Sequence, residues 1–197
     1  LPLSTEQRRE RLQNLDLSQN QMEAILGSEM DDVLITGAEG GSCGCPPVPA
    51  KAWGSAILDN TRAEIAEGTG RDESEIAWPV LTLAVHAREE GIITREGLVP
   101  LARKLWLEGP SSTDAEFEER LEWFAQQAKK AGFTPADTGA VEAAVEEVVA
   151  ENMDMIGERG MGAMGPLMGA VMQKLGGSAD GKTVSEALRK KISELDD

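Results

Sequence analysis

The chain has 197 residues, 41% of them hydrophobic and 4% aromatic, with no tyrosine and a formal net charge of −16. That length allows one or two domains with real cores, built from Leu, Ile, Val, Ala and Met rather than from aromatic rings. No run of about 18 apolar residues occurs, which excludes an apolar membrane-spanning helix, and no signal peptide is visible, so a cytoplasmic protein is expected.

The first elements are short. Residues 5–13 read as a helix that Thr5 can cap, with Glu6, Arg8, Arg9, Glu10 and Arg11 as good helix formers. Ser18 caps a second helix, with Met22, Ile25 and Leu26 at helical spacing and Gly27 at its end. A third piece runs over about 29–36. The glycines and prolines of residues 37–49 then predict a flexible loop. It holds Cys43 and Cys45, which lack the further ligands a zinc site needs and are expected as reduced thiols open to oxidation.

From Ala50 the pattern is helical almost throughout. Trp53, Ile57, Leu58 and Ile65 share a face that stops at Gly68. Glu75 to Glu90 follows, with Pro79 tolerable in its first turn and Leu81, Leu83 and Val85 apolar. Thr94 opens another helix with Leu98, Leu101, Leu105 and Trp106 inward. Residues 109–114 make a turn and cap. Phe117, Leu121, Phe124 and Ala128 line the next helix, to Gly132. A long helix from Thr134 carries Val141, Val145, Val148 and Val149. No segment shows sustained period-two alternation, so an all-α fold is predicted, with a helical domain over 1–134 and a smaller three-helix domain over 135–197.

The last stretch differs in charge from the rest. Residues 158–191 hold six Lys and Arg (Arg159, Lys174, Lys182, Arg189, Lys190, Lys191) against three acids (Glu158, Asp180, Glu186), a local excess of +3 in an acidic chain. Clustered cations there point to an anionic partner. Residues 134–197 contain no Phe, Trp or Tyr. Stacking on splayed bases is therefore excluded, and contact with a phosphate backbone and RNA shape remains. The glycines and Pro166 disfavour one continuous helix over 160–176, so a loop at 160–165 and a helix from Pro166 to about Leu175 are predicted. The stripe Met161, Met164, Met168, Val171, Leu175 is expected to face the core.

Gly160-Met-Gly162-Ala-Met-Gly165 matches a dinucleotide-binding pattern literally, but a helix rather than a strand precedes it, so no nucleotide site is expected. A free helix N-terminus there suits a single RNA phosphate. His86 has no partner within reach and reads as a packed or surface histidine. No nucleophile, Walker-type or paired-carboxylate motif is found, so neither catalytic residues nor a metal site are assigned.

The stretch RGMGAMGPLMGAVM followed by ADGKTVSEALRKKI resembles the C-terminal tail of tRNA-dependent amidotransferase subunits: the bacterial B subunit and, closer in wording, the archaeal-type E subunit of glutamyl-tRNA(Gln) amidotransferase. The same tail occurs in stand-alone YqeY-like proteins. The resemblance is strong over 148–195 and extends back to Lys51, and LPLSTEQRRERL and LDLSQNQMEAIL resemble the start of the helical domain. The Cys-containing loop departs from the family pattern. The likeness implies a fragment, beginning at Leu1 without a methionine, of the subunit that converts Glu-tRNA(Gln) to Gln-tRNA(Gln) with ATP and ammonia. The catalytic domain with its ATP and Mg would lie outside this chain, and the glutaminase would be the D subunit. Carried over by position, RNA-binding candidates are Arg159, Gly160, Gly162, Gly165, Lys174, Gly181 and Lys182, then Arg189 and Lys190. The alternative is a stand-alone YqeY-like module that binds protein rather than tRNA(Gln). The acidity is expected either to reflect a salty cytoplasm, with stability gained in molar KCl, or to be that of an ordinary acidic protein.

Overall fold

The structure, a computed structural model, describes residues 2–41, 44–135, 138–176 and 179–195. Among these residues every regular element is helical and no strand occurs, so the chain is all-α. Contacts divide it into two compact units, Leu1–Ala131 and Gly132–Asp197.

The first unit holds eight α-helices among its described residues: α1 (Thr5–Leu12), α2 (Gln19–Gly27), α3 (Asp31–Glu39), α4 (Ala50–Leu58), α5 (Thr61–Ala66), α6 (Trp78–Glu89), α7 (Leu98–Glu108) and α8 (Phe117–Ala131). The cap of α1 is Ser4, not Thr5. Its hydroxyl accepts from the Gln7 amide while the Gln7 side chain accepts from the Ser4 amide, and Ser18 with Gln21 repeats this at α2. A Ser-x-x-Gln pair satisfies two orphan amides at once, which Thr5 has no partner to do. Arg8 then ties α1 to α3, donating from Nε and Nη2 to Asp31 Oδ1 at 3.1 and 2.5 Å.

Several boundaries differ from the sequence expectation: α6 begins at Trp78 rather than Glu75, α7 begins at Leu98 after a 3-10 turn over Arg95–Gly97, and two further differences have a clear local cause. Helix α3 runs on through Gly37 to Glu39, because a glycine is needed there for close packing. Trp53 of α4 is fully buried against it, donates from Nε1 to the Val33 carbonyl at 3.0 Å, and leaves no room for a Cβ at residue 37. The rest of the 37–49 segment is packed at its described end, where Cys45 and Val48 are buried. The face from Trp53 to Ile65 belongs to two helices, broken where Asn60 adopts φ 56°, a left-handed conformation that asparagine tolerates.

Helix α6 is the centre of this unit, buried at every position from Val80 to Val85 and at Ala87. Helix α8 lays Phe117, Phe124 and Ala128 inward, with Leu121 half-buried. Its Arg120 is 1% exposed and donates to the Pro79 carbonyl at 3.1 Å. Arg103 of α7 donates to the carbonyls of Ile65 and Glu64 at 2.8 and 2.7 Å, satisfying the end of α5. Trp106, expected inward, is half-buried with the Arg71 guanidinium over its ring. His86 is packed edge-on against Phe117, ring centroids 5.3 Å apart.

The second unit contains α9 (Thr138–Glu151), the short α10 (Met153–Arg159), a 3-10 turn (Gly160–Ala163), α11 (Met164–Lys174) and α12 (Gly181–Leu195). Its core is three stripes: Val141, Val145, Val148 and Val149 of α9; Ala163, Leu167 and Val171; and Val184, Leu188 and Ile192 of α12. Of the expected stripe, Val171 lies in that core and the methionines and Leu175 lie beside it. Met164, Met168 and Leu175 are half-buried against it, and Met161 is 44% exposed. An apolar helix face is wider than one row, and Leu167 and Val171 take its centre. Helix α10 is an addition to the expected three-helix tail.

Candidate nucleic-acid interface

The glycine-rich stretch is more ordered than its composition predicts. Arg159 ends α10, and Gly160 turns the chain with φ 51° and ψ −127°, a combination that glycine alone adopts readily. Residues 160–163 then make a 3-10 turn rather than a loop, and α11 begins at Met164, two residues before Pro166. The proline still falls in the first turn, where amides have no intrahelical acceptor and its missing N–H costs nothing. No strand precedes Gly160 among the described residues, so the GxGxxG pattern lacks the βαβ context of a dinucleotide site. Gly162 and Gly165 are exposed, and no side chain packs where a Cβ at Gly165 would sit.

Lys174, the last residue of α11, reaches Glu147 at 2.7 Å and Glu151 at 3.6 Å, both toward the end of α9, so α9 and α11 run the same way. The hydrogen bond to Glu147 raises the Lys174 pKa above its ordinary value. Helix α12 returns in the opposite direction, which sets Gly181 and Lys182 at the same end of the unit as Lys174 and the last two-thirds of α12 back along α9. There Lys191 pairs with Glu146 at 3.5 Å, and Lys190 shares a groove with Glu142, Glu146 and Glu194. Arg159, Lys182 and Arg189 are exposed and make no ion pair among the described residues.

The candidates therefore do not form one patch of equals. Lys174 is committed to α9 and Lys190 faces carboxylates, while Arg159, Lys182 and Arg189 project uncommitted charge. Sequence reasoning missed the α9 glutamates as partners. Their signal was available: residues 142, 146, 147 and 151 flank the apolar row 141, 145, 148, 149 on both sides of one helix. Asp180 precedes α12, and Thr183 Oγ1 donates to its carboxylate at 3.4 Å. A carboxylate at that helix start competes with a phosphate for the same amides.

Cys45 is buried, with the Thr82 hydroxyl 4.0 Å from its sulfur, so it is not the exposed thiol expected from sequence; Cys43 lies outside the described residues. Among the described residues no group of three or more His, Cys, Asp or Glu side chains is placed to hold a metal ion, and no helix is long and apolar enough to cross a membrane.

The family model described as the GatB domain matches residues 57–192, from the end of α4 to the last buried turn of α12. The chain belongs to the GatB domain family. Relatives of this GatB-domain chain include the E subunit of the glutamyl-tRNA(Gln) amidotransferase of Thermococcus sibiricus, 54% identical over 70 residues, covering 36% of this chain and 11% of that protein. The E subunit of Natronomonas pharaonis is 32% identical over 149 residues, 76% of this chain and 21% of that protein. That of Methanocaldococcus jannaschii is 34% identical over 141 residues, 72% of this chain and 20% of that protein. The chain thus spans about a tenth to a fifth of the length of these relatives.

Proposed function

We propose that this chain is the tRNA-holding part of the archaeal-type E subunit of a glutamyl-tRNA(Gln) amidotransferase, and that its second unit is the RNA-contacting module. The observation that carries this is the trio Arg159, Lys182 and Arg189, exposed and making no ion pair among the described residues in a chain of net −16. Cations left unneutralised in so acidic a protein suit an external polyanion. Family membership and relatives named as the E subunit support the choice of tRNA(Gln) as that polyanion. On this reading the conversion of Glu-tRNA(Gln) to Gln-tRNA(Gln), with its ATP and Mg, takes place in a domain outside this chain, and ammonia comes from a glutaminase, the D subunit. The residues described here orient the tRNA and perform no bond-making step. The protein works in the cytoplasm, with its glutaminase partner and its tRNA.

Charge reversal tests the reading. Arg159→Glu combined with Lys182→Glu is expected to weaken binding of a tRNA(Gln) transcript at least tenfold at low salt, and to reduce the dependence of log affinity on log salt by about one per lost phosphate contact. Unchanged affinity and slope would refute an RNA-facing role for these two residues. A second reading, a protein-binding module, draws on Met153 and Met161, which are 47% and 44% exposed in the same unit. It requires that Met153→Ser with Met161→Ser abolish binding to the partner while leaving tRNA binding untouched.

A further inference from the structure

Five of the six Lys and Arg residues of the second unit, those on α11 and α12, divide by helix face. On α12, Lys190 and Lys191 lie on the flank that meets α9, where Lys191 pairs with Glu146 and Lys190 borders Glu142, Glu146 and Glu194. Arg189 is two residues before Lys191, a rotation of about 200° on a helix. Lys182, seven residues earlier, shares the Arg189 side, about 10 Å along the axis. That side is the flank away from α9, toward α11. Helix α11 repeats the division. Lys174 turns to Glu147 and Glu151 of α9, whereas Met164, Met168 and Met172 occupy the opposite flank of the Leu167–Val171 row.

The glutamates of α9 are arranged to serve both neighbours. Glu147 and Glu151 lie on the side toward α11, Glu142 and Glu146 on the side toward α12, and all four are exposed. A phosphate approaching along α9 meets this carboxylate row, and Lys174 and Lys191 beside it already have a counter-charge that the phosphate would have to displace. A phosphate approaching the α11–α12 flank meets Lys182 and Arg189, which make no ion pair among the described residues, with Glu186 as the carboxylate between them on α12. Like charges set against an approaching ligand exclude a wrong docking mode as effectively as attraction selects the right one.

We infer that the α9 glutamates determine which side of the α9–α11–α12 helices a phosphate backbone occupies: they pair with Lys174 and Lys191, border Lys190, and along these helices admit a polyanion only on the α11–α12 flank, through Lys182 and Arg189. This rests on the reading that the unit binds RNA, and it removes Lys174 and Lys190 from the RNA-contacting set.

Two charge-matched double variants test it. Lys182→Gln with Arg189→Gln and Lys174→Gln with Lys191→Gln each remove two positive charges, so net charge cannot separate them. Thermal melts establish that both are folded. The first pair is expected to weaken tRNA(Gln) binding at least tenfold and to lower the salt slope by about two, the second to change affinity less than twofold. Equal losses would overturn the inference while leaving tRNA binding in place. The same variants are eluted from immobilised heparin, a polyanion that needs no tRNA-specific contact. Earlier elution of the Lys182/Arg189 pair alone supports the inference, and equal elution of the two pairs overturns it, even if the wild-type chain binds no tRNA and the functional reading fails. A third variant, Glu147→Gln with Glu151→Gln, releases Lys174. It is expected to raise affinity for heparin more than Glu118→Gln with Glu122→Gln, which removes the same charge from exposed positions on α8. An equal rise in both would also count against the α9 row.

Discussion

At single residues, the fold rests on a few positions that tolerate one side chain. Gly37 is the plainest case. An added Cβ would sit 2.3 Å from Trp53 Nε1, which is itself fixed by its bond to the Val33 carbonyl. Gly37→Ala is expected to destabilise the first unit by about 1–3 kcal/mol through overpacking, measured by urea unfolding; no change in midpoint would show that the indole can move aside. Asp31 governs acid stability in the same unit. The residue is 4% exposed, and the hydrogen bond from Arg8 holds its pKa below the ordinary carboxylate value. A lowered folded-state pKa means stability that is present above the unfolded pKa and lost as pH falls through the folded one. Melting temperature should therefore fall as pH drops below about 4, and Asp31→Asn should be less stable at neutral pH but less sensitive to that acid range. Parallel curves for the two proteins would assign the acid response to other groups.

Among the elements, α11 carries the clearest conflict between propensity and packing. Gly169 is exposed in the middle of this helix, and nothing lies within 4 Å of a Cβ built on it. Gly169→Ala is expected to stabilise the second unit by about 1 kcal/mol, since alanine loses less backbone freedom in a helix; a lower midpoint for that unit in hydrogen exchange would contradict this. The helices with regular apolar spacing were legible from sequence. Val184, Leu188 and Ile192 of α12 and the valines of α9 recur at helical intervals and are buried as that spacing demands. The 3-10 turn at 160–163 was not legible, because Gly160, Gly162 and Gly165 argue for a loop over 160–165 and the burial of Ala163, which overrides them, is a tertiary fact. The extension of α3 to Glu39 depends likewise on Trp53, which lies on the next helix. For the site, the positive excess of 158–191 stood in the sequence, and so did the glutamates of α9. Their pairing did not, because Lys174 and Glu147 meet only once α9 and α11 lie side by side.

For the whole molecule, charge is the dominant variable. A chain of net −16 repels itself, and repulsion between exposed carboxylates is screened over about 3 Å at 1 M salt. Raising KCl from 0.1 M to 2 M should increase the melting temperature by several degrees, whereas an equal or lower value would mean that its carboxylates are spaced too widely to matter. The same salt must weaken any association with RNA, because counterions released from phosphates are harder to release at high concentration. Stability and binding are thus expected to move in opposite directions along one KCl series. The most direct test compares tRNA(Gln) binding by the whole chain with binding by a chain ending after Ala131, the boundary of the first unit. Binding by the whole chain that declines with salt, together with its loss in the shortened chain, is the expected result. Equal binding by both would move the RNA contact out of the second unit, and absence of binding by either at low salt would contradict a tRNA-holding role for this chain.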